Sequence, residues 1–517
     1  MFLFLSLASS QGLGSSSVQG AFGAVTIDGK IWNQVALRPI IPIGKVSVAL
    51  DIVFYIDQNG NIHDDEWDFS DGKKSKNSII DKIYYIRYGK KWDPFYFQVG
   101  ALDNVTLGKG ILVNRYTNTI LYPQVRKVGM DIKFKVSGFN FYGFTNDFKE
   151  NLGLTGFRVS KNIINGINIG GSLVADRNQY LGLRDSDNDG RPDLVDDFPD
   201  DPLYWLDTDG DGIADVDPNE LDIDGDGVTD TLDSNIPGWD LDSIYVLDTD
   251  IMRKPEPLNV QNRKRSIYAV SLDASRTILA ESNMSVSIYA QFASLIGKTV
   301  DPISAEEVSL GNGFIPFGLS TKLGPARFKF EYRMMPSGKF EFGYWDRSYE
   351  IERATFSSFF MNDNSGLRTG EIITKDSRLG KFGKQKGYFS TLSIDLGEMV
   401  GASMSYQNLF GEQWNENENN FNNDRNQSFI AGIRLKKPIS KITNARWYYQ
   451  QRNVPNPFDF EFTESTISGY RVGIKLGNGM ILNYIFRQSF RDIDGDGKVN
   501  GKDETINMTS IETSFSF

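Results

Sequence analysis

Hydrophobic and polar residues alternate along most of this chain with a period of two. This period is typical of β-strands, in which successive side chains point to opposite faces. Helical periodicity is rare in the sequence. The alternation therefore predicts an all-β protein built from strands of about nine to eleven residues. The clearest examples lie within 46–56, 130–136, 284–292, 328–334 and 480–486.

The strand length and the aromatic residues favour a transmembrane barrel over a soluble β-sandwich. A tilted strand of about 9–11 residues is long enough to cross a bilayer. The sequence contains 36 Phe, 22 Tyr and 8 Trp, and aromatic residues at strand ends are typical of the interfacial girdles of membrane barrels. Those near predicted strand ends are Trp92, Phe95, Tyr344, Trp345, Trp447 and Tyr449. A soluble sandwich with a polar outer face remains the alternative.

Two of the predicted strands carry charged residues at successive positions of one face. Such a face suits a water-filled lumen, although it also fits the outer face of a soluble sheet. We predict that the lumen is lined in part by Lys133, Lys135, Arg327, Lys329, Glu331 and Arg333.

The connections between strands alternate between short and long. Short turns are predicted at 137–138, 161–166, 323–325, 397–399, 437–440 and 477–479, and long polar segments at 58–78, 181–262, 360–385, 410–426 and 454–464. Short turns on one rim and long loops on the other are typical of bacterial outer-membrane barrels. The predicted fold is an all-β, transmembrane, antiparallel up-and-down β-barrel of about 16–20 strands with a long insertion in one extracellular loop.

The last residues, 511–517, alternate up to a terminal aromatic residue, Phe517. This segment resembles the closing strand of Gram-negative outer-membrane β-barrel proteins, which are porin-like and commonly end in an aromatic residue. The resemblance implies a bacterial outer-membrane location, contact with outer-membrane lipid and extracellular long loops. It also implies that the barrel-assembly machinery recognises Phe517. The resemblance covers the architecture of nearly the whole chain and points to no narrower family.

Two segments fit more than one role. Residues 105–127 carry four basic residues and no acidic residue. They form either two ordinary strands, which the pattern slightly favours, or a loop folded into the lumen as a constriction. Residues 23–43 form either the first strands or a small periplasmic or plug element.

Composition argues against most enzyme classes. The chain has no cysteine and a single histidine, His63, so thiol nucleophiles and Cys-ligated zinc are excluded and histidine-based catalysis is disfavoured. Neither a nucleophile elbow nor a phosphate-binding P-loop occurs. We therefore predict no catalytic residues. Residues 1–10, MFLFLSLASS, resemble the end of a secretory signal peptide that has lost its basic start.

The net charge of −12 hides a strong local asymmetry. Residues 181–250 contain 22 Asp, one Glu and two Arg, a net of −21, so the other 447 residues carry +9. A basic face with a recognisable nucleic-acid-binding module is not found, and no nucleic-acid partner is predicted. The predicted organisation is two barrel parts, 11–180 and 263–517, separated by an acidic insertion at 181–262.

Three acidic repeats lie in this insertion. Each places carboxylates at alternate positions of a tight loop and a glycine at its sixth position, an arrangement that can wrap one hard cation. The predicted ligands are Asp185, Asp187, Asp189, Asp193 and Asp196 in the first repeat, Asp207, Asp209, Asp211, Asp215 and Asp217 in the second, and Asp222, Asp224, Asp226, Asp230 and Asp233 in the third.

The repeats resemble thrombospondin type 3 calcium repeats, which implies bound Ca²⁺. The second repeat departs from the pattern at its last position, where Pro218 follows Asp217. Because unneutralised carboxylates repel one another, the insertion is expected to be loose without calcium and compact with it. A solvated acidic linker is the alternative.

A fourth acidic loop lies at 492–503, within the last long connection. It resembles a dockerin or EF-hand loop, in which Lys498 supplies a main-chain carbonyl. It ends in Asp503, where glutamate is usual, which weakens bidentate coordination. Its predicted ligands are Asp492, Asp494, Asp496, Lys498, Asn500 and Asp503.

The favoured function is a passive outer-membrane pore for small polar or anionic solutes, with selectivity set by lumen charge. The alternative is a cell-surface attachment protein, in which the barrel is only an anchor and the calcium-bound insertion binds an extracellular surface or a protein ligand. A soluble, secreted, calcium-dependent adhesin is a third hypothesis.

Overall fold

The alternating segments form strands, and the sheet that they build closes on itself. The computed structural model describes residues 17–27, 30–63, 67–70, 72–123, 125–225, 227, 230, 253–360, 368–415, 418–477, 479–491, 499, 501 and 504–516. The strands are β1 (Ser17–Ile27), β2 (Lys30–Ile43), β3 (Val46–Leu50), β4 (Ile52–Ile56), β5 (Ile83–Tyr88), β6 (Phe95–Gly100), β7 (Gly129–Val136), β8 (Phe139–Thr145), β9 (Leu154–Asn162), β10 (Ile167–Asp176), β11 (Ile267–Ala280), β12 (Met284–Ile296), β13 (Lys298–Val300), β14 (Glu307–Ser309), β15 (Asn312–Leu323), β16 (Ala326–Met335), β17 (Ala354–Phe360), β18 (Arg368–Thr374), β19 (Phe382–Leu396), β20 (Val400–Asn415), β21 (Asn420–Leu435), β22 (Ile442–Val454), β23 (Ile467–Gly477), β24 (Met480–Phe490) and β25 (Thr505–Ser516).

Helices are few and short. They are α1 (Gly72–Asp81), α2 (Tyr349–Glu352) and the 3-10 turns Ile164–Gly166, Gln179–Gly182 and Lys375–Lys381. No helix in the described part of the chain has the length and apolar character needed to cross a membrane.

All strand pairs along the wall are antiparallel, and β1 pairs with β25 to close the barrel, with Gln19 opposite Ser516 and Val25 opposite Ser510. Among the described residues, 21 strands belong to this sheet. Because β3 and β4 continue each other across Asp51 and both pair with β2, the barrel has 20 strand positions. This agrees with the predicted fold class, at the upper end of the predicted strand number. The hairpins β13–β14 and β17–β18 lie outside the wall sheet.

The structure decides one open alternative and corrects one predicted loop. Within residues 23–43, residues 23–27 belong to β1 and residues 30–43 to β2, so the described part of this segment forms barrel strands and not a plug element. The prediction of a long loop at 410–426 is wrong, because β20 continues to Asn415 and β21 begins at Asn420. Polar residues such as those of 420–426 remain in strands here because the sheet extends beyond the apolar part of the wall.

The outer and inner faces of the wall differ in polarity. Large apolar side chains point outward and stay exposed along every part of the wall, among them Phe22, Val35, Leu37, Leu173, Leu272, Phe328, Leu392, Met404, Ile433 and Ile511. Soluble proteins rarely leave so wide an apolar surface uncovered. The inward side chains between them are largely polar or charged, for example Gln34, Arg38, Asp273 and Glu512.

Two long connections fold into the barrel and form its interior core. Of the described residues, the first inward loop comprises 101–123 and 125–128, and the second comprises 336–360 and 368–381. Both contribute to one buried apolar cluster together with inward residues of the wall. Members of this cluster include Leu102, Val105, Leu112, Val113, Tyr116, Phe340, Tyr344, Trp345, Tyr349, Val174, Ala293 and Ile315.

The inward loops correct two predictions. The described part of 105–127 contains no strand and makes only single β-bridges, Val105–Tyr116 and Val113–Trp345, so the favoured strand interpretation is wrong and the segment is an inward loop. Tyr344 and Trp345, predicted in an interfacial girdle, are fully buried inside the barrel. Trp92 and Trp447, in contrast, are 79% and 41% exposed.

Candidate functional site

The two inward loops are joined to each other through their backbones. The amide of Asn114 donates to the carbonyl of Trp345 at 3.0 Å, and the amide of Trp345 donates to the carbonyl of Leu112 at 3.1 Å. Apolar side chains from both loops then pack together and against inward residues of β8–β12, β15, β16 and β20. Around this cluster the packing fills one half of the lumen and leaves the opposite half open, beside β19–β22. A separate cavity lies beside β7–β11.

Buried ion pairs fix the second inward loop. Arg353 donates to Asp176 at 2.7 Å and to Glu150 at 2.7 Å, and all three side chains are nearly inaccessible to solvent. Lys127 bridges Glu150 and Glu350 across the two loops. Nearer the open half, Arg452 pairs with Glu341 and Asp346, each at 2.6 Å, while Lys375 pairs with Glu352 at 2.6 Å.

The open half contains a cavity of about 350 Å³, which we call the passage. Arginines reach it from every side: Arg115 from the first inward loop, Arg347 from the second, and Arg434 and Arg446 from β21 and β22. Asp103 of the first inward loop also lines the passage. The passage is therefore bounded by cationic side chains from two loops and two strands.

Several other charges of the passage are already neutralised. Arg333 pairs with Glu331 at 2.5 Å, and Arg327 lies 3.6 Å from Asp395. By contrast, Arg115, Arg347 and Arg434 form no salt bridge with any residue that the structure describes. Coulomb attraction from this surplus concentrates anions and repels cations.

The six predicted lumen residues all lie inside the barrel, but in different surroundings. Arg327 and Arg333 line the passage. Lys329 and Glu331 form an ion pair at 2.7 Å, and Lys329 also donates to the carbonyl of Lys109, so they serve to attach the first inward loop. Lys133 and Lys135 line a separate cavity of about 660 Å³.

Four arginines of the passage, Arg115, Arg347, Arg434 and Arg446, are absent from the predicted lumen set. A sequence signal for one of them exists, since Arg446, Tyr448, Gln450 and Arg452 form a polar period-two face on β22. Arg347 carries no such signal because it lies on an irregular loop.

The acidic insertion forms a second candidate site, and its three loops share one backbone design. The aspartate at the first position accepts a hydrogen bond from the glycine amide at the sixth position: Asp185 from Gly190 at 3.1 Å, Asp207 from Gly212 at 2.9 Å and Asp222 from Gly227 at 2.9 Å. These glycines have φ angles of 98°, 92° and 90°, a region that favours glycine. The repeats thus fold alike.

Each loop brings carboxylates together. Oxygens of three aspartates lie within 4.8 Å of one another in the groups Asp185, Asp187 and Asp189; Asp207, Asp209 and Asp211; and Asp222, Asp224 and Asp230. These groups contain nine of the predicted calcium ligands.

Buried, unpartnered oxygens accompany the first and third groups. Within the described residues, Oδ1 of Asp185, Oδ2 of Asp187, Oδ2 of Asp196 and Oδ1 of Asp222 have no hydrogen-bond partner. Burial, together with the charges of Asp187 and Asp189, raises the pKa of Asp185 to about 6. Burial and the same two charges raise the pKa of Asp196 to about 6. A divalent cation would satisfy these oxygens and neutralise the charge.

Three other predicted ligands accept hydrogen bonds from neighbouring residues of the insertion. Asp193 accepts from the amide and hydroxyl of Ser186, at 2.7 and 2.8 Å, and Asp215 binds the corresponding groups of Thr208, both at 2.7 Å. Asp217 accepts from Asn219. The predicted residues Asp226, Asp233, Asp492, Asp494, Asp496, Lys498, Asn500, Asp503 and Phe517 lie outside the described residues.

Together, the closed wall, the inward loops and the passage define a loop-constricted β-barrel. No protein-family model and no curated protein matches the sequence. Among solved structures, OccK10 (OpdN) of Pseudomonas aeruginosa is 7% identical, with 98% of this chain and 99% of that chain covered and a TM-score of 0.36. The outer membrane protein opdK of Pseudomonas aeruginosa is 7% identical, with 97% and 98% covered and a TM-score of 0.34. OmpT, an outer membrane protein of Vibrio cholerae, is 6% identical, with 98% and 99% covered and a TM-score of 0.27. Values this low define no family for the chain.

Proposed function

We propose that the protein spans a bacterial outer membrane and acts as a passive pore that favours small anions. The exposed apolar outer face supports the membrane location, because lipid contact removes that surface from water. The surplus of arginines around the passage is the observation that carries the anion preference.

Charge at a narrow point has more effect on selectivity than charge in a wide one, because fewer water molecules screen it. Arg115 and Arg347 come from the inward loops and Arg434 from the wall. Solutes that pass between the loops and β21–β22 meet all three guanidinium groups.

Reconstitution into planar bilayers tests this function. We expect discrete conductance steps and a reversal potential, under a KCl gradient, that indicates preference for chloride. Combining Arg115→Gln with Arg434→Gln should reduce that preference. Arg276→Gln is a matched control, since Arg276 is an exposed residue of β11. Absence of conductance would contradict the pore and leave surface attachment as the better account. Cation preference in the wild-type protein would contradict the proposed anion preference.

We also propose that the insertion binds Ca²⁺. Asp185, Asp187, Asp189 and Asp196 would hold one ion in the first loop, and Asp207, Asp209 and Asp211 a second. The buried, unpartnered oxygens of the first loop support this assignment. The bound ions would neutralise the carboxylates and so stabilise the compact form of the insertion.

Calcium titration of the full-length protein, followed by tryptophan fluorescence, tests this assignment. Trp205 reports on the insertion, because its ring stacks under Arg191 at 3.7 Å and its indole donates to Glu256 at 3.0 Å. We expect a saturable change that Asp187→Asn weakens. Asp200→Asn, which removes the same charge from an exposed position, should leave it intact. No saturable response in the wild-type protein would favour a solvated acidic linker.

A further inference from the structure

A smaller cavity adjoins the passage. It has a volume of about 100 Å³, and Asp103, Arg347, Arg446 and Tyr448 line both spaces. We call this cavity the side chamber. The two spaces therefore meet at a shared layer of mostly cationic and aromatic side chains.

Two strand residues carry unpartnered donors in the side chamber. Arg471 and Arg487 line it and are only 7% and 5% exposed. Among the described residues, Nε and Nη1 of Arg471 and Nε of Arg487 have no hydrogen-bond partner. Nη1 of Arg487 reaches the carbonyl of Tyr122 at 3.4 Å, a long contact. Buried charged donors without acceptors are energetically costly, so an anion bound here would stabilise the protein.

The charge balance of the side chamber is strongly positive. Arg38 and Glu512 form an ion pair at 2.7 Å and neutralise each other. The other charged residues of the lining are Asp103 and four arginines, Arg347, Arg446, Arg471 and Arg487, which gives a surplus of three positive charges.

We propose that the side chamber binds a phosphate group, either free or carried on an organic phosphate. A dianion offsets more of the surplus than a monocarboxylate does, and its several oxygens can accept from donors that arrive from different strands. Apolar neighbours such as Val25, Ile120 and Met508 line the same space. They exclude competing water and strengthen the attraction.

The size of the side chamber agrees with this ligand. One buried water needs about 10–15 Å³ by the same measure of volume, so the chamber has room for a phosphate group. The inference deepens the proposed pore and rests on it, because the anion reaches the chamber through the passage.

Isothermal titration calorimetry on the full-length protein in detergent tests this site. At constant ionic strength, inorganic phosphate should bind saturably to one site, and acetate should bind about tenfold more weakly or worse, as expected for fewer charge-assisted hydrogen bonds. Glycerol 3-phosphate separates the two sources: tighter binding of the ester identifies organic phosphates, and tighter binding of inorganic phosphate identifies the free ion.

Variants of the chamber residues test whether phosphate binds in the side chamber. Arg471→Gln and Arg487→Gln should each weaken phosphate binding about tenfold or more, whereas Arg276→Gln should leave it unchanged. Heat-modifiable migration verifies that each variant is folded, and the comparison of phosphate with acetate on the wild-type protein needs no variant.

The inference is overturned if phosphate does not saturate, if acetate binds equally well, or if Arg276→Gln weakens binding as much as the chamber variants. Its failure differs from failure of the pore: conductance without phosphate binding overturns the chamber alone. Phosphate binding without conductance overturns the pore.

Discussion

Arg353 should control whether the second inward loop stays attached to the barrel wall. Its buried guanidinium donates to Asp176 through Nε and Nη2, at 2.7 and 2.8 Å, and to Glu150 at 2.7 Å. Arg353→Met keeps a long apolar side chain but removes the charge. Glu150 would then still have the cation Lys127, whereas Asp176 would keep the hydroxyl of Tyr349 and the amide of Asn178 but no cation.

The magnitude follows from the burial of these groups. Removing one partner of a buried ion pair typically costs about 3–5 kcal/mol. At about 1.4 kcal/mol for each factor of ten, the detached form of the loop should become about 10²- to 4 × 10³-fold more populated. The isolated carboxylate can bind a proton and so limit this cost, which means that the effect should shrink as the pH is lowered.

Hydrogen exchange measured by mass spectrometry reads out this equilibrium, because detachment exposes amides that are protected in the closed form. The Trp345 amide, which donates to the carbonyl of Leu112, should exchange about 10²- to 4 × 10³-fold faster, while peptides from β20 should be unchanged. The double variant Arg353→Met with Asp176→Asn should recover part of the protection. Unchanged exchange at Trp345 would refute the reasoning, and an equal increase in β20 would indicate global destabilisation instead.

Three further outcomes concern the insertion. Since the pKa of both Asp185 and Asp196 is raised to about 6, the cation-free fold holds these protons more tightly than the unfolded chain does. In chelator the insertion should therefore be more stable to proteolysis at pH 5 than at pH 7, whereas its calcium affinity should fall as the pH drops below about 6. Gly212→Ala places a side chain at a φ of 92°, which costs roughly 1–2 kcal/mol of strain. Calcium titration should therefore show that the calcium affinity of the second acidic loop falls about tenfold. Asp196→Asn should weaken calcium binding in the same titration and Asp217→Asn should not, because Asp217 is bonded to Asn219; equal effects would contradict the ligand assignment.

The period-two pattern was sufficient for the wall of the barrel, because each wall strand has one lipid-type face and one polar face. It also placed Arg327 and Arg333 on the inner face, where they line the passage. The same pattern gave wrong predictions for 105–127, which was assigned to strands, and for Tyr344 and Trp345, which were assigned to an interfacial girdle. In sequence, the apolar residues of an inward loop cannot be distinguished from those of a strand or a girdle. Which loop enters a barrel depends on tertiary packing, and a local pattern does not record it.

A sequence signal for the inward loops nevertheless exists in the strands that they cover. The wall strands β10–β12, β15 and β16 carry apolar residues on both faces near the long-loop rim, with Val174, Ala293 and Ile315 buried inside the barrel and Leu173 and Phe314 exposed outside it. A strand that lines a water-filled lumen is expected to be polar on its inner face. Strands β22–β24 carry inward arginines as well as the buried Ile467, which packs against Ile120 and Ile351 of the inward loops. Buried apolar residues on the inner face of the wall thus mark where the inward loops pack against it. Replacing Ile315 with a polar residue should therefore loosen the inward loops, while an equivalent change at Phe314 should not.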